Sequence, residues 1–167
     1  MAKMKVQLPD ELQHRFETAM SEMDDIAEKA LKTGAKVLIK PMDSRLRSAL
    51  STPRKYEKRQ TGELLRALGT SPMKIKDDGA YDVRDGFAEP RTKQPTRRIG
   101  RNKKGGGYYV ATNAMVANIL QYGHKGTKGG QAPAPWLQPA LRDGKKDAEE
   151  AIRKTVEGRL DEIFNKE

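Results

Sequence analysis

Apolar positions near the N-terminus recur every three or four residues, which is the spacing of one helical face. They are Leu12, Phe16, Met20, Met23, Ala27, Ala30, Leu31, Val37 and Leu38. This pattern predicts an amphipathic helix over residues 10–39, which Pro41 ends because proline lacks a backbone donor. Such a helix spans ~45 Å. Two explanations fit this length equally well: part of the helix packs on another subunit, or the helix lies across its own small sheet.

The same spacing returns at the C-terminus. The apolar positions there are Leu141, Ala148, Ile152, Val156, Leu160, Ile163 and Phe164. They predict a second long helix over residues 138–164, with Pro139 in its first turn, where a missing backbone donor is tolerated.

Shorter elements are predicted in the first half of the region between these helices. Residues 43–50 favour a short helix, and residues 61–68 favour one or two helical turns that bury leucines and end at Gly69. Two apolar runs then flank the turn sequence at residues 77–79, which predicts a hairpin with strands near 71–76 and 80–87.

The second half of this region combines a strand, a helix and two loops. Residues 108–111 predict a strand, and Thr112 or Asn113 caps a helix that ends at Gly123. Glycines predict a mobile loop at residues 123–135. The fold class is therefore α+β: a single domain over residues 1–167, with a long helix at each end and a small antiparallel sheet and projecting basic loops near residues 71–135.

The positive charge is concentrated in the middle of the chain. The net charge is +10, yet no Asp or Glu lies between Glu89 and Asp143. The basic residues in that interval are Arg91, Lys93, Arg97, Arg98, Arg101, Lys103, Lys104, Lys125, Lys128 and Arg142. The rest of the chain holds 23 basic and 23 acidic residues, so the flanks together are neutral.

The interval from residue 89 to residue 107 favours a contact with another macromolecule. It holds seven basic residues and a single large aliphatic side chain, Ile99, so it cannot bury enough surface to order itself. We expect it to be mobile in an isolated subunit. An acidic protein surface is favoured as its partner. Nucleic acid is the alternative, although no helix-turn-helix, zinc finger or aromatic stacking motif is present.

Catalytic and metal chemistry are not indicated. The chain has no cysteine, and its two histidines, His14 and His124, have no ligands at metal-binding spacing. The serines lack a glycine elbow, and the glycines at 105–107 are not followed by Lys-Ser or Lys-Thr. We therefore expect no enzyme activity, no metal and no cofactor. No segment is apolar enough to span a bilayer or to act as a secretion signal, so we expect folding in a cytoplasm.

Short motifs in this order resemble a bacteriophage family. The first is Thr61, Gly62, Glu63 and Leu64 after a long helix, followed by the hairpin. The second is Ile119, Leu120, Gln121, Tyr122 and Gly123, and the third is Pro135, Trp136, Leu137, Gln138, Pro139, Ala140 and Leu141. They are similar to the gene-ten-like tail-completion or head-tail joining proteins of long-tailed phages. Gln121 stands where that family commonly has Glu, and the loop at residues 89–107 is long and basic for it.

The resemblance implies a non-enzymatic virion protein that forms a homo-oligomeric ring at the neck, between the connector and the tail tube, around the path of the DNA. Assembly takes place in the host cytoplasm, and a monomer in solution would not contradict the ring, because such rings often form only on the partner. A tail terminator that caps the tube is the near alternative, and a basic nucleic-acid-binding module is the alternative from another class.

Two sets of site residues follow. The structural motif comprises Thr61, Gly62, Leu64, Tyr122, Gly123, Pro135 and Pro139. The predicted partner-binding residues are Arg91, Lys93, Arg97, Arg98, Arg101, Lys103, Lys104, Lys125 and Lys128, together with Trp136 and Leu137. The prolines around Trp136 stiffen its segment, so Trp136 anchors either the core of its own chain or a neighbouring subunit.

Overall fold

A computed structural model describes residues 9–51, 62–88, 98–101, 108–110, 112–125 and 130–165, with the backbone alone at 98–101 and 108–110. The helices are α1 (Asp10–Ser21), α2 (Met23–Ser51), α3 (Glu63–Ala67), α4 (Asn113–Tyr122) and α5 (Leu137–Phe164). The strands are β1 (Leu68–Thr70), β2 (Lys74–Ile75), β3 (Tyr81–Asp82), β4 (Asp85–Phe87), β5 (Arg98–Arg101) and β6 (Tyr108–Val110). This confirms the predicted α+β class with a long helix toward each end.

Helices α2 and α5 form an antiparallel pair that supports the rest of the chain. Small residues let the two backbones approach closely: a Cβ added to Gly34 would lie 2.5 Å from Ile152 Cγ1. Farther along the pair, a Cβ on Gly144 would lie 2.6 Å from the ring of Pro41. The pair is therefore packed to van der Waals contact along its length.

The predicted end of the first long helix at Pro41 is wrong. Pro41 lies inside α2, which continues to Ser51 and absorbs the short helix predicted at residues 43–50. Proline costs a helix one hydrogen bond, but the absence of a side chain at Gly144 leaves room for its ring against α5. Packing of α2 on α5 thus offsets the cost of a proline inside the helix. The sequence prediction considered that cost alone.

The helix is instead interrupted nineteen residues before Pro41, at Glu22, which separates α1 from α2. The Glu22 carboxylate pairs with Arg159 of α5 at 2.6 Å. Phe16 of α1 packs against Phe164 at the end of α5, with ring centroids 5.3 Å apart in an edge-to-face arrangement. Helix α1 therefore covers the far end of the α2–α5 pair.

The hairpin is present but is longer than predicted. Strands β2 and β3 flank a turn in which Gly79 has φ 78°, and β1 pairs with β4 farther from the turn. Pro72 and Met73 lie opposite Val83 between the two pairings, so a bulge interrupts the ladder. The prediction that Gly69 ends a helix is wrong. Gly69 lies inside β1 and pairs with Gly86 of β4.

Part of the predicted basic loop has regular structure. Strand β5 pairs antiparallel with β6, with a register shift between Arg98 and Gly100. The predicted loop at residues 89–107 is therefore wrong for residues 98–101, because the chain reverses and offers β6 as a partner for this segment. The other residues of that loop lie outside the described part of the chain.

The core lies where α2, α3, α4 and the start of α5 meet. Its buried members are Met42, Leu46, Ala49, Leu64, Ala117, Leu120, Trp136 and Ala140. Phe87 of β4 packs against this cluster from the hairpin side. The core is thus at one end of the helical pair, opposite to the Phe16–Phe164 contact.

Candidate interaction surfaces

The end of α4 is joined to the start of α5 by one buried side chain. Gln121 Oε1 accepts hydrogen bonds from the backbone N of Trp136 at 2.8 Å and from the backbone N of Leu137 at 3.0 Å. Trp136 occupies the N-cap position of α5 and gives no side-chain cap of its own. Gln121 therefore satisfies backbone donors that the first turn of a helix always leaves free.

Trp136 belongs to the core of its own chain. Its side chain is 3% exposed, and its ring meets Phe87 edge-to-face with centroids 5.8 Å apart. Its prediction as a partner-binding residue is therefore corrected. Of the two anchoring roles that the sequence left open, the structure shows Trp136 in the core of its own chain. Leu137 is half-buried and packs on the same cluster.

The base of the loop at residues 123–135 is held by backbone geometry. Gly123 has φ 77°, and a Cβ there would lie 2.7 Å from the carbonyl oxygen of Gln131, so both conformation and space favour glycine. His124 and Gln131 exchange two backbone hydrogen bonds of 2.9 and 2.7 Å. The loop predicted to be mobile thus begins and ends at a fixed pair, and residues 126–129 lie outside the described part.

The remaining motif residues take varied positions. Gly62 has φ 68° and precedes α3, whereas Leu64 is buried in the core. Pro139 lies in the first turn of α5, as predicted, and Pro135 is exposed just before it. Thr61 lies outside the described residues.

Most of the basic residues predicted to bind a partner lie where the structure describes no side chain. Lys125 is described and exposed, next to the paired base of its loop. Arg98 and Arg101 lie in β5, where the backbone alone is described. The other basic candidates lie outside the described part: Arg91, Lys93, Arg97, Lys103, Lys104 and Lys128.

The outer face of α4 is an apolar surface that sequence reasoning did not assign to a partner. Met115, Ile119 and Tyr122 recur at helical spacing along a groove of about 700 Å³, and Tyr122 is 71% exposed. No charged residue occurs anywhere in α4, although 34% of the chain is charged. The lack of charge was visible in the sequence, but the outward direction of this face was not. We call it the α4 groove.

A second exposed apolar surface lies on and just after α1. Phe16, Met20 and Met23 are 46%, 76% and 44% exposed, and they fall within eight residues of sequence. Their periodicity predicted burial, yet only their neighbours Ala19 and Ile26 are buried. We call these three residues the α1 stripe.

The hairpin carries charged side chains with shifted pKa values. Arg84 donates to the Asp82 carboxylate at 2.8 Å and lowers the pKa of Asp82. Burial raises the pKa of Asp85, against a smaller opposing effect of the hydrogen bond from Thr70. The Tyr81 hydroxyl donates to Asp24 at 2.6 Å, which raises the pKa of Tyr81 and ties the hairpin to the start of α2.

Within the described residues, no cluster of three or more His, Asp or Glu side chains could hold a metal ion. His14 and His124 are both exposed and lie on different elements. No helix in the described ranges has the length and apolar character that crossing a membrane requires. The exposed apolar features that stand out in the described residues are the α4 groove and the α1 stripe.

Comparison with models of protein families, with curated proteins and with solved structures finds no match to this chain.

Proposed function

We propose that this chain is a non-enzymatic structural subunit of the neck of a long-tailed bacteriophage, a tail-completion or head-tail joining protein. It forms a ring between the connector and the tail tube in the virion, after assembly in the host cytoplasm. A monomeric isolated chain is compatible with this role, because such a ring can form only on its partners. DNA passes close to it without sequence-specific contact.

The segregation of charge carries this proposal. All of the excess positive charge lies between residues 90 and 142, within a frame whose other parts are neutral. A ring subunit needs a stable frame and a separate surface for the layers above and below it, and electrostatic complementarity favours acidic protein surfaces for that contact. The location of this surface in a phage neck is proposed from the sequence motifs that resemble the phage family.

The joint between α4 and α5 gives additional support. The motif that ends at Gly123 and the motif that begins at Pro135 are separated by a glycine-rich loop, yet Gln121 binds the backbone of Trp136. Motifs of one family are expected to converge when they specify one architecture. This supports treating them as parts of one fold rather than as chance matches.

Deletion of residues 93–105 tests the proposal. The deleted segment contains β5, whose described partner is β6, so we expect the melting temperature of the helical frame to stay nearly unchanged. In a phage that depends on this gene, electron microscopy should show separate heads and tails. Tubes of abnormal length would instead indicate a terminator, and normal virions would contradict both roles.

A matched pair of charge variants separates the protein contact from nucleic-acid binding. The first variant changes Arg97, Arg98 and Arg101 to Gln, and the control changes Lys145, Lys146 and Arg153 on exposed α5 positions to Gln. Only the first should block assembly. A DNA-binding module predicts in addition a gel shift that fades steeply with salt and disappears in the first variant. A strong, salt-sensitive shift with normal assembly would replace our proposal with that function.

A further inference from the structure

The two exposed apolar surfaces lie at opposite ends of the α2–α5 pair. The α1 stripe is next to Phe164, at the C-terminal end of α5. The α4 groove is next to Trp136, at its N-terminal end, because Gln121 fixes α4 there. Helix α5 has 28 residues, which corresponds to ~42 Å. One chain therefore cannot bring its own stripe into its own groove.

The charges around the two surfaces are opposite. Residues 10–25, which include the stripe, contain six acidic residues and one basic residue, Arg15. On the groove side, the described residues 112–125 and 130–142 contain no Asp or Glu, and Lys125 is exposed directly after the groove residue His124. Opposite charge around apolar centres is how interfaces select their partner and orientation.

We propose that the α1 stripe of one copy of this chain docks in the α4 groove of a second copy. Phe16, Met20 and Met23 supply the apolar ridge, and Met115, Ile119 and Tyr122 line the groove that receives it. The contact is heterologous, since each copy uses one surface at each end, and repetition of such a contact gives a ring when the rotation between copies closes and an open filament when it does not. The inference specifies the subunit contact of the ring proposed above, but it rests on surfaces that exist independently of any phage role.

Disulfide trapping tests this contact directly. The described chain has no free cysteine, and the full sequence has none, so each introduced thiol is unique. Met20→Cys and Met115→Cys proteins are mixed in equal amounts at high concentration and oxidised. We expect the mixed dimer to exceed either homodimer, whereas the double variant should form a ladder of higher oligomers. The matched controls are Lys36→Cys for the stripe and Arg153→Cys for the groove, both at exposed positions, and they should give only background cross-linking.

A second pair of variants tests the groove without altering the thiols. Tyr122→Asp in the Met115→Cys protein places a charge in the contact and should lower the mixed-dimer yield roughly tenfold. Tyr122→Phe should keep the yield, and because Tyr122 is 71% exposed, neither change should alter the melting temperature.

The disulfide-trapping experiment and the deletion of residues 93–105 can succeed or fail independently, so they test the docking contact and the phage role separately. A mixed dimer together with normal virions after the deletion above would support the docking contact and overturn the neck assignment. Equal yields from the controls, only homodimers of Met20→Cys, or a cross-link inside a single chain of the double variant would each overturn the docking contact.

Discussion

The side-chain oxygen of Gln121 accepts the backbone N–H of Trp136 at 2.8 Å, across fourteen intervening residues. A helix N-terminus usually receives such an acceptor from its own N-cap residue. Here the acceptor comes from the last turn of another helix. The same bond that caps α5 therefore also fixes where α4, and with it the α4 groove, lies on the frame.

We expect Gln121→Ala to destabilise the protein by about 1–3 kcal/mol, because it leaves one buried and one part-buried backbone donor without this acceptor. Gln121→Glu should retain most of the stability, because a carboxylate near a helix N-terminus is a favourable acceptor. Urea denaturation measures both. Asn118→Ala, an exposed change in the same helix, should stay within about 0.5 kcal/mol of the parent. Equal stability of Gln121→Ala and this control would contradict the capping role.

The close approach of α2 and α5 predicts opposite effects for one substitution at two positions of α5. Gly144→Ala places a Cβ 2.6 Å from Pro41 and 3.0 Å from Leu38; the overpacking should cost about 1–3 kcal/mol, more than the gain in helix propensity. Gly158→Ala meets nothing within 4 Å and should stabilise the chain by about 0.5–1 kcal/mol. Thermal and urea unfolding distinguish the two, and the same sign for both would show that the helices do not pack this closely.

The sole tryptophan makes the core assignment measurable. Because Trp136 is buried, its fluorescence should be blue-shifted and poorly quenched by iodide in the monomer, and it should change little when rings form. Trp136→Ala should cost about 3–5 kcal/mol. Trp136→Phe should cost less, because it keeps an aromatic ring against Phe87 and removes an indole N–H that has no hydrogen-bond partner among the described residues. Strong quenching that is lost on assembly would instead place Trp136 at a subunit contact.

Two aspartates of the hairpin should titrate on opposite sides of the ordinary value of 3.8. The hydrogen bond from Arg84 lowers the pKa of Asp82, so its contribution to stability is present above the unfolded pKa and is lost as pH falls through the folded one. Burial raises the pKa of Asp85, so its contribution grows as pH falls through its folded value toward the unfolded one. Carboxyl NMR titration should show Asp82 titrating first from the acid side.

Substitutions at their partners provide the control for these titrations. Arg84→Ala should return the pKa of Asp82 toward its ordinary value and leave Asp85 unchanged, whereas Thr70→Val should raise the pKa of Asp85 further because the opposing hydrogen bond is lost. The reverse order of the two aspartates would contradict the geometry of the hairpin.

The elements that were predicted correctly are those with a strong local signal. The period of α5, the cap at Thr112, the stop at Gly123 and the turn at residues 77–79 each depend on neighbours in sequence. Thr112 Oγ1 accepts from Met115 N at 3.1 Å, as an N-cap residue does. Such features need no information from distant parts of the chain.

The features that the sequence analysis predicted wrongly or missed depend on contacts between residues far apart in sequence. Pro41 was expected to end a helix, but Gly144, which is 103 residues away in sequence, leaves room for its ring. Gly69 was expected to end a helix, but Gly86 offers it a strand partner. Gln121 was noted only as a departure from a motif, because nothing near it in sequence shows that its oxygen meets Trp136.

The sequence by itself determined the α+β composition of the fold, the two long helices, and the division into neutral flanks and a positive middle, because charge and helical periodicity are properties of the chain before it folds. Only the tertiary structure decided that Trp136 lies in the core, that Met115 and Tyr122 face outward, and that the α1 stripe and the α4 groove lie at opposite ends. A helical period shows that two faces differ, but which face is covered depends on where the other helices pack.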